Sequence, residues 1–121
     1  MSKRILVVED QEDNRQILRD LLGNAGYELI EAVDGEQALA AYAKQRPDLV
    51  LMDIQLPVLD GYETTRRIRT DPESKGIPII AVTSYALAGD EAKALAAGCD
   101  GYITKPYSPR ALLAKVKEYL V

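Results

Sequence analysis

Short, mostly apolar runs separated by longer amphipathic stretches constrain the fold of this chain most strongly. Four of the runs lie at residues 5–8, 49–52, 79–82 and 102–104, and a further strand is predicted at about 28–32. Continuous apolar runs rich in branched residues are typical of parallel strands that are covered on both faces of a sheet. The pattern therefore predicts five strands of a buried parallel sheet.

The stretches between the strands predict five helices, at about 13–25, 35–46, 62–69, 87–97 and 109–120. Asp34, with Gln37 three residues later, and Ser108, followed by Pro109, are typical helix starts, and Gly26 is a typical helix end. The apolar face of the first helix is predicted to comprise Ile17, Leu18, Leu21 and Leu22. Strand and helix alternate throughout, which predicts an α/β fold with a doubly wound parallel sheet.

Polar residues follow four of these strands directly. They are the pair Glu9 and Asp10, then Asp53, Thr83 and Lys105. Because parallel strands end at the same edge of a sheet, we expect these side chains to meet there, where open α/β sheets place their binding sites. Carboxylates that face an ammonium and a hydroxyl suit a divalent cation and a phosphoryl group.

Composition excludes several classes of function. The net charge of −4 argues against direct binding to nucleic acid, which requires a basic surface. The chain has no histidine, so it lacks the commonest general base and zinc ligand and cannot carry a phosphohistidine. The single cysteine, Cys99, cannot form an internal disulfide and is interpreted as a small buried residue. No apolar run is long enough to span a membrane, and no signal peptide precedes the first strand, so we expect a cytoplasmic protein.

The combination of motifs resembles the receiver domain of response regulators, the phosphoacceptor of two-component signalling. The resemblance covers essentially the whole chain, and its marks are the acidic pair after the first strand, the aspartate within 51–54, Pro57, Gly61, the threonine after the fourth strand and Lys105-Pro106. It implies one receiver domain over residues 1–121, with a flavodoxin-like sheet in the order 2-1-3-4-5. The chain is most similar to the single-domain, DivK-like type, and a cis bond is expected at Pro106.

The resemblance also implies roles for the residues at the sheet edge. Asp53 would be the nucleophile that forms an acyl phosphate. Asp10 and Asp53 would bind Mg²⁺ directly, Glu9 would act through water, and the backbone carbonyl of Gln55 would complete the ligands from the protein. Lys105 would pair first with Asp53 and then with a phosphoryl oxygen.

Signalling would require a switch and partners. By resemblance, Thr83 moves to the phosphoryl group and Tyr102 turns inward. The phosphoryl group would come from a histidine kinase or a histidine phosphotransfer protein, which we expect to dock on the polar side of the first helix, formed by Asn14, Arg15, Gln16 and Arg19. Output would pass through contact with a downstream protein. The chain would catalyse its own phosphorylation and slow dephosphorylation without turning over a small-molecule substrate.

Two other functions remain open at this point. A small phosphatase of the haloacid-dehalogenase type would also use Asp53 as nucleophile, but it requires an acidic residue two positions later, where this chain has Gln55. A phosphorylation-independent interaction module would be expected to lose the acidic pair, the acceptor or the lysine, and all are present. Each of these residues alone would be interpreted as a helix cap or a surface residue, so the combination favours the phosphoacceptor.

Overall fold

Five parallel strands form one sheet in the computed structural model, which describes residues 2–84 and 89–120. The strands are β1 Arg4–Val8, β2 Glu28–Ala32, β3 Leu49–Asp53, β4 Ile79–Thr83 and β5 Gly101–Thr104. Their order is β2-β1-β3-β4-β5, and every neighbouring pair is parallel. The predicted topology is therefore confirmed.

One α-helix follows each of the five strands along the chain. The helices are α1 Glu12–Asn24, α2 Gly35–Gln45, α3 Gly61–Arg69, α4 Asp90–Ala97 and α5 Pro109–Tyr119, with a 3₁₀ turn at Pro72–Gly76. The start predicted for the fourth helix, at residue 87, lies outside the described residues. Over 2–84 and 89–120, no helix combines the length and the apolar character that a membrane crossing requires.

The helix starts predicted from single residues are present. The Asp34 carboxylate accepts a hydrogen bond from the Gln37 amide at 2.8 Å, and the Ser108 hydroxyl accepts one from the amide three residues later at 3.0 Å. The Gln37 side chain accepts in return from the Val33 amide at 3.2 Å, one residue before the capping aspartate. The bonds accepted by Asp34 and Ser108 satisfy amides that the first turn of a helix leaves without a partner.

Both faces of the sheet are covered, because successive residues of a strand point to opposite sides. One face packs under α2, α3 and α4 through the cluster that contains Leu6, Val8, Val50, Met52, Ile79 and Ala81. The other face packs under α1 and α5 through Ile5, Val7, Leu49, Leu51, Ile80 and Val82. All five residues of β3 are buried, so the central strand delivers its last residue, Asp53, from within the core.

The apolar face predicted for α1 is partly wrong. Leu18 and Leu22 are buried and Leu21 is half-buried, whereas Ile17 is 52% exposed. Ile17 lies on the flank of the helix that faces the loop before α5, where it lines a surface groove. The helix therefore buries a narrower stripe than its sequence indicates.

A polar cluster ties the elements together at the edge where the strands begin. The Arg69 guanidinium, at the end of α3, binds the Asp100 carboxylate at 2.7 Å. It also donates to three main-chain carbonyl oxygens, those of Ser74, Ile77 and Gly98. Asp100 in turn accepts from the Ile79 amide at 2.9 Å, and its carbonyl accepts from the Tyr119 hydroxyl at 2.9 Å. The starts of β4 and β5 and the ends of α3, α4 and α5 thus share one hydrogen-bonded anchor.

Candidate functional site

The ammonium of Lys105 lies between two buried carboxylates at the edge where the strands end. Its Nζ is 2.8 Å from Glu9 Oε1 and 3.0 Å from Asp53 Oδ2. Val8 and Met52 are paired in register, so Glu9, which directly follows β1, and Asp53, the last residue of β3, lie at the ends of adjacent strands. The predicted pairing of Lys105 with Asp53 is present, and the equally close pairing with Glu9 is an addition.

These contacts hold the lysine in its charged form. Burial alone would lower the pKa of Lys105, but the hydrogen bonds to Glu9 and then Asp53 outweigh it and raise that pKa above its usual value. The lysine side chain is only 21% exposed, and hydrogen bonds between charged groups are stronger than neutral ones in such surroundings. The site therefore has a fixed cation at neutral pH.

Glu9 is oriented by more than the lysine. Its Oε2 accepts from the Gln11 amide at 3.0 Å, and its Oε1 is 3.4 Å from the Asn14 side-chain amide. Asn14 was not among the predicted site residues. Its position in the first turn of the helix that follows the acidic pair is the sequence feature that would have indicated it, because this turn faces the strand end.

The local backbone fixes the Asp53 carboxylate as well. Its Oδ1 accepts from the Gln55 amide at 3.0 Å, which leaves Oδ2 on the lysine. The chain then returns so closely that a Cβ on Gly61 would lie 2.3 Å from the Asp53 carbonyl oxygen and 2.7 Å from Ile54 Cα. Only glycine fits there, which gives a steric reason for this motif residue.

The carboxylates of Glu9, Asp10 and Asp53 form a cluster in which one oxygen atom from each lies within 4.8 Å of the other two. Glu9 and Asp53 are buried, and Asp10 is exposed. Three carboxylates against one ammonium leave the cluster with net negative charge. A set of oxygen donors with excess negative charge fits a hard divalent cation such as Mg²⁺.

Thr83 and Tyr102 lie on the neighbouring strands. Thr83 is buried at the end of β4, and its carbonyl accepts from the Lys105 amide at 2.7 Å, just before the cis Lys105-Pro106 bond. Tyr102 is half-buried on β5 and packs against the core cluster under α2, α3 and α4. The structure thus joins Thr83 to the lysine through the main chain and leaves Tyr102, three residues before the lysine, facing the helices.

A groove of about 570 Å³ opens beside Lys105, between α1 and the loop before α5. It is lined by Asn14, Ile17, Ser84, Lys105, Pro106, Tyr107 and Pro109. Burial raises the pKa of Tyr107, so this phenol is neutral at physiological pH. The groove therefore has an uncharged, largely apolar wall, formed by Ile17, Pro106, Tyr107 and Pro109, next to the charged Lys105.

Comparison with known proteins gives a consistent result. Residues 5–117 match the model of the response regulator receiver domain family. Polar-differentiation response regulators named DivK are 44% identical in Brucella anthropi and 43% in Brucella ovis, in each case over 99% of this chain and 98% of the relative.

Solved structures share the fold. The chemotaxis response regulator CheY4 of Vibrio cholerae has a TM-score of 0.93 at 31% identity, covering 98% of this chain and 99% of its own. The receiver domain of the sensor histidine kinase PA1611 of Pseudomonas aeruginosa has a TM-score of 0.91 at 38% identity, covering 99% and 98%. That structure has a magnesium ion coordinated in the active-site cleft.

We expect Asp10→Asn to raise the free energy of unfolding in EDTA by about 1 kcal/mol. The substitution removes one of three like charges that lie close together, and this one is exposed to water. Urea unfolding with EDTA and with excess Mg²⁺ measures this. The wild type should gain stability from Mg²⁺ and the variant should gain much less, since a bound ligand stabilises only the state that binds it. Asp13→Asn, which alters an exposed aspartate of α1 outside the cluster, is the control. A loss of stability in EDTA for Asp10→Asn would contradict the expected repulsion.

Proposed function

Because the chain belongs to the response regulator receiver family, and so is a phosphoacceptor module of two-component signalling, we propose that Asp53 is the residue that accepts the phosphoryl group. The observation that carries this proposal is the bridge from Lys105 to Glu9 and Asp53. It supplies a nucleophilic carboxylate, that of Asp53, and a cation, Lys105, that can move its contact from Asp53 to an oxygen of the new phosphoryl group. Histidine kinases and histidine phosphotransfer proteins are the donors to such domains.

In the proposed reaction, an Asp53 oxygen attacks the phosphorus of a phosphohistidine. The new P–O bond forms as the P–N bond breaks, and the histidine nitrogen leaves with the bonding electron pair. Lys105 keeps its contact with Glu9 while its contact with Asp53 passes to a phosphoryl oxygen. The Gln55 amide holds the other Asp53 oxygen in place, so the attacking carboxylate is oriented before the donor arrives.

The approach of two anions must be offset. Like unit charges about 4 Å apart near a protein surface repel by about 4 kcal/mol. The one lysine of the site already neutralises part of the charge of two carboxylates. Mg²⁺, held by Asp10 and Asp53 with Glu9 through water and the Gln55 carbonyl, would supply the further positive charge that phosphoryl transfer requires. The clustered oxygens of the three carboxylates support this assignment.

The phosphatase alternative has no comparable support. It needs a proton donor two residues after the nucleophile, and the amide of Gln55 cannot act as a carboxylic acid does. The interaction-module alternative does not account for a lysine held between buried carboxylates, an arrangement that costs desolvation energy without a clear gain in stability. Both observations favour the phosphoacceptor.

We assign the conformational response to Thr83 and Tyr102. A hydrogen bond from the Thr83 hydroxyl to the phosphoryl group would be worth about 1.5–3 kcal/mol, as for other bonds to charged groups. A complete population shift, from 1:99 to 99:1, takes about 5.5 kcal/mol, so movement of Lys105 and repacking of Tyr102 against α4 must contribute the rest. Output would then pass to a downstream protein in the cytoplasm, without direct contact to nucleic acid.

We place docking of the donor at one side of the polar face predicted for the first helix, beside Asn14. Arg15 and Arg19 are engaged in ion pairs with Glu12 and Glu31, so they are poorly suited to receive a partner. The groove beside Lys105 has an exposed apolar wall at Ile17 and lies next to the Asp53 contact. We therefore assign docking of the histidine-bearing helices to this groove.

We expect acetyl phosphate with Mg²⁺ to label the wild type on Asp53 alone and to leave Asp53→Asn unlabelled, because the amide is not a nucleophile. Borohydride trapping followed by mass spectrometry locates the label. Asp60→Asn alters a neighbouring aspartate that caps α3 and should be labelled like the wild type. Label that persists in Asp53→Asn would refute the assignment.

We expect Ile17→Glu to slow phosphotransfer from a phosphohistidine protein about tenfold, since it places a charge on the apolar wall of the groove. Labelling by acetyl phosphate, which needs no docking surface, should be unchanged. Leu95→Glu is a matched control, because Leu95 on α4 is equally exposed at 53% but lies outside the groove. Equal slowing by both variants would argue against docking at this groove.

We expect Thr83→Ala to be labelled on Asp53 but to lose most of the response of β5. Hydrogen exchange over residues 101–107, measured with and without acetyl phosphate, should change in the wild type and change much less in the variant. Thr104→Ala, which alters the residue paired with Thr83 in register, tests whether any threonine at this edge has the same effect. Equal responses in Thr83→Ala and the wild type would refute the switch.

A further inference from the structure

Arg15 makes three contacts at the start of α1, each through a different nitrogen. Its Nη1 donates to the Glu9 carbonyl at 2.9 Å, its Nε is 3.3 Å from Glu31 Oε1, and its Nη2 binds the Glu12 carboxylate. The side chain is only 12% exposed. A guanidinium with its whole donor fork engaged is held in one orientation.

The contact with the carbonyl is the important one for the site. This oxygen belongs to the peptide that joins Glu9 to Asp10, so the bond fixes the orientation of the peptide plane directly before Asp10. On the other side, the Glu9 amide donates to the Ala32 carbonyl at 3.0 Å. Asp10 is exposed, so the direction of its carboxylate depends on this main chain more than on packing.

The two acidic partners of Arg15, Glu12 and Glu31, are themselves held by a second arginine. Glu31 on β2 also accepts two bonds from Arg19, at 2.8 and 2.7 Å, and Glu12 accepts a third at 3.2 Å. Hydrogen bonds from Arg19 are the main cause of the lowered pKa values of Glu12 and Glu31, so both carboxylates stay ionised. The two arginines therefore share their acidic partners, but among the hydrogen bonds of residues 2–84 and 89–120 only Arg15 reaches the Glu9 carbonyl.

We propose that Arg15 is a positioning residue that sets the Glu9–Asp10 peptide so that the carboxylates can bind a divalent cation. The inference rests on the proposed function, since that function requires the cation. Simple electrostatics predicts the opposite effect of Arg15, because a nearby guanidinium repels a cation and its removal should tighten binding. The two effects differ in sign, so affinity measurements separate them.

The test is the Mg²⁺ affinity of the unphosphorylated protein, measured by calorimetry. Arg15→Met keeps most of the apolar stem and removes the donors, and we expect it to raise the Kd for Mg²⁺ about tenfold, as loss of a group that orients a metal ligand commonly does. Arg19→Met removes the same charge from the same network without touching the Glu9 carbonyl. Its Kd should be unchanged or slightly lower. A Kd in Arg15→Met no higher than in Arg19→Met would overturn the inference.

A second measurement separates positioning from misfolding. With saturating Mg²⁺, labelling of Arg15→Met by acetyl phosphate should return to within about twofold of the wild type, because the bound cation restores the geometry. A rate that stays low at saturation would overturn the inference.

Arg15→Lys keeps the charge and serves as the test variant if Arg15→Met does not fold. We expect the ammonium to prefer the carboxylates over the carbonyl and the Kd to rise, and an unchanged Kd would overturn the inference.

The two proposals fail in different ways. Should the wild type bind Mg²⁺ but carry no label on Asp53, the proposed function fails while the affinities still decide the role of Arg15. Should the wild type be labelled with equal Mg²⁺ affinities in all variants, the role of Arg15 fails and the proposed function stands.

Discussion

The ammonium between Glu9 and Asp53 is the interaction on which the rest of the structure depends. Two buried carboxylates on neighbouring strands repel each other, and the core can hold them there only with a cation between them. The lysine that supplies it directly follows β5, which lies two places from β3 and three from β1, so the site exists only when these strands are all in register. Assembly of the sheet and assembly of the site are therefore one event.

This dependence explains why several backbone features lie around Asp53. The central strand is wholly buried, so it cannot shift relative to its neighbours without exposing apolar surface. The close return of the chain at Gly61 brings α3 against the strand end and leaves no room for a side chain. A carboxylate that is fixed in this way needs little reorganisation when it reacts, which is the usual basis of rate enhancement in phosphoryl transfer.

Local sequence was enough to predict the strands and the caps at Asp34 and Ser108, because each depends on short-range rules, whereas the strand order came from the resemblance to receiver domains. The meeting of the strand-end residues followed from parallel topology alone. Sequence did not predict the contact of Arg15 with the Glu9 carbonyl, since a side chain that binds main chain leaves no pattern of residue types. The exposure of Ile17 was also missed, because helical periodicity identifies an apolar face but not how far the neighbouring loop covers it.

The anchor of Arg69, Asp100 and Tyr119 has a practical consequence. It lies at the edge where the strands begin, and α5 ends there beside it. The described chain also enters β1 at that edge, so both of its ends lie one strand length from the carboxylates, on the order of 15 Å for five residues. A fluorophore or an affinity handle attached at either end would leave the reactive edge clear for a docking helix. The protein is accordingly well suited to immobilisation for measuring phosphotransfer.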